Sequence, residues 1–170
     1  MGKTRSKLQR FGKGKALNVQ VHGDAAVCAQ GIVAESLCIG KTPNFAIDGT
    51  IHIIKNNQIG YTTDLKDSRP SKYSTDLFKA YDIPIIHVNG ENLEDVLRSV
   101  ELAVSYQTKF KKDIVLDIYG YRKYGHNEVD EPSFTHPLIY KNIREIHQAI
   151  PIKYATQLAK EGLVSEKFYD

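Results

Sequence analysis

Cysteine is scarce: Cys28 and Cys38 are the two in 170 residues, and they form neither a Cys-x-x-Cys pair nor a zinc-ligand spacing. Both fall in an apolar, helix-like segment and are expected to be buried thiols, which favours a reducing compartment. No apolar run approaches a membrane-spanning length. The basic start is not followed by the apolar stretch and small-residue cleavage site of a secretory leader. The protein is therefore expected to be soluble and intracellular. Internal repeats and low-complexity tracts are also missing. No Gly-x-Gly-x-x-Gly follows the first strand, since "GKGK" precedes it, and this argues against a nucleotide-binding dehydrogenase.

What is present is ordinary for a globular domain: 41% hydrophobic and 25% charged residues, with a net charge of +3. The basic excess sits in Met1–Lys15, "MGKTRSKLQRFGKGK", which has six Lys or Arg and no acid, so the remainder is slightly acidic. That arm lacks the interleaved aromatics of a single-strand binder and any useful apolar face, so neither nucleic acid nor membrane is expected as a partner.

Strand-like runs recur at Leu17–Val21, Ile51–Lys55, Ile83–Val88 and Ile114–Ile118. Helix-like segments fill the gaps. "AAVCAQGIVAESLCIG" has apolar residues at helical spacing, and "ENLEDVLRSVELAVSYQTKF" opens on an Asn92 cap and repeats Val96, Val100, Ala103 and Val104. Alternating strands and helices predict an α/β fold, a parallel sheet with helices on both faces, because parallel neighbours need a crossover. Four strands make a narrow sheet, one expected to be incomplete. After Tyr119, "GYRKYGHNEVDEPSFTHP" is a long polar loop, a kind more often functional than not. Helices are expected at Leu138–Gln148 and Ile152–Glu161. The organisation reads as a basic lead-in (1–16), an α/β domain (17–148) and a helical segment (149–170) leading towards an absent domain.

The chemistry is expected where strands end. "HGDAA" places Asp24 at the carboxyl edge of the first strand, where open parallel sheets present ligands. "IIKNNQIGYTT" delivers Asn57 to the same edge, one crossover later. Asp24 would supply a carboxylate oxygen, Asn57 an amide oxygen, and a bend at Gly60 would turn the Ile59 carbonyl towards them. Three hard oxygens suit Mg²⁺ or Ca²⁺, and magnesium usually completes its shell with phosphate and water. A phosphate ligand is thereby implied. The small Ala25 and Ala26 would let a diphosphate approach the backbone N–H groups at the following helix start. The plainer alternatives are that Asp24 is a helix cap and that Asn56 and Asn57 simply form a turn.

From the third loop, Arg122 can pair with phosphate through its planar fork, and His126 is a candidate catalytic residue, donating to phosphate or shuttling a proton. Beside them stand Glu128, Asp130 and Glu131, and the alternative is a solvated charged loop. Among the other histidines, His52 and His87 sit in strand runs and are expected to pack, His136 and His147 have no partner at metal-ligand spacing, and His22 adjoins the candidate site.

"HGDAAVCAQGIVAESL", "KNNQIGYTTD" and "YRKYGHNEVDEPSFTHPLIY", with "PIIHVNGEN" between them, closely resemble the decarboxylating component of the 2-oxoglutarate dehydrogenase complex. The likeness covers the chain from its first strand almost to its last residue. It implies the thiamine diphosphate-binding fold, with Asp24, Asn57 and the Ile59 carbonyl on the cofactor's Mg²⁺ and the Arg122–His126 loop near its diphosphate. The usual thiamine signature is Gly-Asp-Gly; Ala25 stands here in place of the second glycine. The resemblance further implies oxidative decarboxylation of 2-oxoglutarate, with succinyl transfer to the lipoyl group of a dihydrolipoyl succinyltransferase, in a homodimer of the bacterial cytoplasm or the mitochondrial matrix. Family members are several times longer and carry the substrate histidines and the activating glutamate elsewhere, so the chain is expected to be a fragment. Two alternatives remain: the sister enzyme acting on 2-oxoadipate, and a non-catalytic module that binds a diphosphate or a partner.

Overall fold

The computed structural model describes residues 8, 11, 12, 16–165, 167 and 168. The basic run Met1–Lys15 therefore lies almost wholly outside the described residues. Two compact units divide the chain, residues 1–122 and 123–170.

The first unit holds a four-stranded sheet in the order β1-β2-β4-β3, from β1 (Asn18–Gly23), β2 (Thr50–Asn56), β3 (Ile85–Asn89) and β4 (Ile114–Tyr119). Every pairing is parallel, so all four carboxyl ends share one edge. The expected strand at Ile83 begins later because Pro84 has no N–H to give to a ladder; its carbonyl instead accepts from Val115 N–H at 3.0 Å.

Strand alternation splits the core in two. On one face Ile54 and Val115 pack against Val27, Val33, Leu37, Phe78 and Ile83. These come from α1 (Asp24–Ala29), α2 (Gly31–Gly40), α4 (Asp76–Lys79) and the residues after it; α3 is the short Leu65–Ser68. On the other face Ile51, Ile114 and Leu116 meet Ala103 of α5 (Leu93–Phe110). Helices on both faces of a parallel sheet are what the sequence led us to expect. Central β2 and β4 are nearly continuous buried runs, whereas edge strand β1 alternates, leaving Val19 and Val21 exposed.

Local signals explain the helix ends. The Asn92 side chain caps α5 by accepting from Asp95 N–H at 3.2 Å, and Lys111 closes the helix in the left-handed conformation. The expected single helix from Ala25 to Gly40 is instead two, broken where Gln30 turns extended and ends one helix while starting the next. The cysteine expectation needs a correction: Cys28 is half-buried, but Cys38 is exposed, because it falls off the stripe that Val33 and Leu37 bury. Among the described residues no helix is long and apolar enough to cross a membrane.

The second unit contains a 3₁₀ turn (Pro132–Phe134), α6 (Pro137–Ile146) and α7 (Ile150–Lys160), within a few residues of the expected helices.

Gly49 enters β2 with φ +82°, and a Cβ there would stand 2.4 Å from the Lys112 carbonyl carbon and oxygen. Gly49→Ala should therefore cost about 2–3 kcal/mol, combining left-handed strain with a backbone clash. Denaturant unfolding checks this; a stability equal to the wild type would mean the β2 entry differs from that described.

Candidate functional site

Because β1 and β2 are neighbours in parallel register, with Gly23 beside Lys55, their carboxyl ends deliver Asp24 and Asn57 to adjacent positions. The two amides have separate fates. Asn56 is the last strand residue and is buried, donating to Asp117 Oδ1 at 2.9 Å and accepting from Gln58 N–H at 3.3 Å. Asn57 leaves the sheet.

One end of the Asn57 amide lies 3.0 Å from the Ile59 carbonyl oxygen and 3.3 Å from Asp24 Oδ1. With nitrogen at that end, the amide donates to both. With oxygen there, it accepts a long bond from Ile59 N–H at 3.4 Å, and three acceptor oxygens face one another. The Ile59 side chain is buried, so its backbone is anchored with the carbonyl turned to this cluster. Beyond it Gly60 and Thr63 exchange backbone hydrogen bonds in a tight turn, and a Cβ on Gly60 would come within 3.3 Å of the Ala25 methyl. Ala25 and Gly60 are thus small at a close approach of two loops.

Asp24 is 3% exposed, and its Oδ2 is buried without a hydrogen-bond partner. It is the first helical residue and not the cap, since Gly23 holds that position with no side-chain bond. Burial pushes its carboxyl above the usual range, while the N–H groups of Asp24, Ala25 and Asn57 and the charge of Arg69 pull it back. A buried carboxylate with a spare oxygen beside an amide and a carbonyl is a donor set for a hard cation. Among the described residues no group of three or more His, Cys, Asp or Glu is arranged for a metal, so the candidate is built from one charge and two neutral oxygens.

Of the remaining expected site residues, Ala25 and Ala26 open α1, which has only six residues and so little dipole to offer an anion. Arg122 belongs to the first unit and donates from Nη1 to the Tyr61 carbonyl at 3.0 Å, bracing the turn after Ile59. His126 lies in the second unit and is exposed, with its backbone N–H held by Asp130 Oδ2 at 2.7 Å. Glu131 accepts from Ser133 N–H and from Arg144, and these bonds, the backbone one first, hold its carboxyl below the usual range. Two of the loop acids therefore fold the loop.

The sequence reading passed over Arg69, whose charge reaches Asp24 and Tyr119 and whose Nε is buried without a partner. It also passed over Asp117, although a charge inside "IVLDIY" is a detectable signal. His22 stacks on His52 at 5.5 Å, and His52 sits 3.3 Å from Asp113; burial, then the His52 charge, lowers the His22 pKa.

The family model described as "Dehydrogenase E1 component" matches residues 5–170. A probable 2-oxoadipate dehydrogenase complex component E1 homolog of Dictyostelium discoideum is 49% identical over 98% of this chain and 19% of its own length. A 2-oxoglutarate dehydrogenase E1 component of Bacillus pumilus is 48% identical over 90% of the chain and 16% of its own length. The mitochondrial 2-oxoglutarate dehydrogenase of Dictyostelium discoideum is 45% identical over 99% and 17%. The chain thus spans less than a fifth of the length of these relatives.

The raised Asp24 pKa has a signed consequence. The folded state holds a proton that the unfolded chain releases, so without a cation the carboxyl destabilises the fold as pH rises above its ordinary 3.8. In chelator at neutral pH, Asp24→Asn should melt no lower than the wild type, and any advantage should shrink as pH falls towards 3.8. A variant melting several degrees lower would show that the charge is already compensated.

Proposed function

We propose, from the premise that this chain belongs to the dehydrogenase E1 component family, that it is the cofactor anchor of a longer 2-oxo acid dehydrogenase. In this reading Asp24 Oδ1, Asn57 Oδ1 and the Ile59 carbonyl hold the Mg²⁺ of thiamine diphosphate. The observation that carries it is the spacing of the cluster. Ligands about 2.1 Å from magnesium at right angles stand about 3 Å apart, and the Asn57 amide end lies 3.0 Å and 3.3 Å from the other two oxygens. The buried Asp24 carboxylate, whose Oδ2 has no hydrogen-bond partner, carries a charge that a cation at Oδ1 would neutralise.

The chain's own residues bind and orient. Asp24 supplies the single negative charge; Asn57 and Ile59 fix the cation between two loops; Ala25 and Gly60 keep those loops close; Arg122 holds the turn and stands ready for phosphate. His126 is assigned to the diphosphate side or to proton transfer near it. When bound, thiamine diphosphate supplies the carbanion stabilisation that decarboxylation of a 2-oxo acid requires, and the protein positions it. The whole protein is assigned the oxidative decarboxylation of 2-oxoglutarate and succinyl transfer to the lipoyl group of a dihydrolipoyl succinyltransferase, acting as a homodimer. Relatives named for both acids favour 2-oxoadipate as the second reading. Steady-state turnover of the full-length protein on the two acids decides between them.

Asn57→Leu in the full-length protein should weaken Mg²⁺-dependent thiamine diphosphate binding by at least about 100-fold, beyond what a supporting residue costs. Asn56→Ala should cost stability, about 1–3 kcal/mol, by stripping a donor from buried Asp117, and should weaken binding less than the Asn57 change does. Calorimetry and thermal unfolding separate the two; greater loss of binding from the Asn56 change would put the metal on the other amide. These 170 residues alone should release no CO₂ from 2-oxoglutarate with saturating Mg²⁺ and cofactor, and turnover by the purified chain would contradict the anchor reading.

A further inference from the structure

We propose that Asp117 is a positioning residue for the metal-binding turn, acting through Asn56. The inference rests on the reading of Asn57 and Ile59 as ligands.

Asp117 is fully buried in the central strand β4, a place where an uncompensated carboxylate is costly. Its two oxygens are used on opposite sides. Oδ1 accepts from Asn56 Nδ2 at 2.9 Å, and Oδ2 meets His87 Nδ1 at 2.9 Å. The His87 ring is itself held by Tyr73, with centroids 4.4 Å apart, and is flanked by Tyr119 at 6.0 Å. Tyr119 feels the same carboxylate: burial first, then the Asp117 charge, pushes its hydroxyl up to about 12. The carboxylate thereby joins the carboxyl-terminal parts of β3, β4 and β2.

The link to the ligands runs through one side chain. Asn56 spends its amide nitrogen on Asp117, which leaves its oxygen facing the loop, where it accepts Gln58 N–H at 3.3 Å. Asp117 therefore sets the amide's orientation: a carboxylate accepts only, so the nitrogen must face it and the oxygen must face the turn. Gln58, at φ +62°, needs that support, since the left-handed conformation is uncommon for residues other than glycine. From the other side Gln58 Nε2 donates to the Gly120 carbonyl at 2.8 Å, and Gly120 N–H donates to the Asn56 carbonyl at 2.8 Å. Both proposed ligands, Asn57 and Ile59, flank Gln58 and are carried by the turn it forms. Supporting residues of this kind typically alter metal affinity 10–100-fold.

The test uses the full-length protein with thiamine diphosphate, titrating Mg²⁺ by calorimetry and measuring the melting temperature in chelator. Asp117→Asn should weaken Mg²⁺ by about 10-fold. Asn57→Ala should weaken it more, and adding Asp117→Asn to Asn57→Ala should cost less than it does alone, because one of the two positioned ligands is gone. Asn56→Ala removes the side chain that links Asp117 to the turn and should weaken Mg²⁺ by about 10-fold; it decides the matter should Asp117→Asn fail to fold. Unchanged Mg²⁺ affinity in Asp117→Asn and Asn56→Ala, with Asn57→Ala impaired, overturns the positioning role. Fully additive losses from Asp117 and Asn57 overturn it as well. Unchanged affinity in Asn57→Ala overturns the ligand reading beneath it.

Discussion

The structure turns on the crowding of acceptor oxygens at one point of the sheet edge. Asp24 is buried with an oxygen that no protein donor reaches, and the Asn57 amide and Ile59 carbonyl stand within hydrogen-bond distance of one another beside it. Either the amide turns its nitrogen inward, or a cation sits among three oxygens. The first choice satisfies Asn57 but does nothing for the buried charge of Asp24. A divalent ion satisfies all three groups, and it explains why a buried carboxylate is kept where an apolar residue would stabilise the fold.

The fold creates that point through parallel pairing. A parallel β1–β2 pair brings two chain exits side by side, and the period of two along β2 sends Asn56 inward and frees Asn57 at the edge. What lies beneath is unusually polar for a sheet centre. Asp117, Asn56 and His87 tie three strands together under the turn, while the apolar clusters on the two faces hold the helices. The turn itself is braced by Gln58 on Gly120 and by Arg122 on Tyr61. The proposed ligands are fixed by groups that do not touch the cation.

Much of this was readable from the sequence, and the failures share a cause. The four strands, the Asn92 cap and the convergence of Asp24, Asn57 and Ile59 follow from hydrophobic period, cap chemistry and the rule that parallel sheets present ligands at their carboxyl edge. The break at Gln30 was hidden because both halves of the segment keep helical spacing. Cys38 was misjudged because an apolar neighbourhood in sequence does not say which side of α2 faces the sheet. Asp117 and Arg69 escaped because their partners lie far away in sequence: Asn56 is 61 residues from Asp117. Pairing across strands is set by the order β1-β2-β4-β3, which puts β4 between β2 and β3 and cannot be inferred from spacing along the chain.

The central claim concerns which atoms meet the cation. Mn²⁺ can replace Mg²⁺ at an oxygen site and be located directly by anomalous diffraction from crystals of the full-length protein with thiamine diphosphate. The account predicts a single manganese peak within about 2.3 Å of Asp24 Oδ1, Asn57 Oδ1 and the Ile59 carbonyl oxygen, with diphosphate oxygens completing the shell. A peak bound through Asn56, or one away from Asp24, would contradict it.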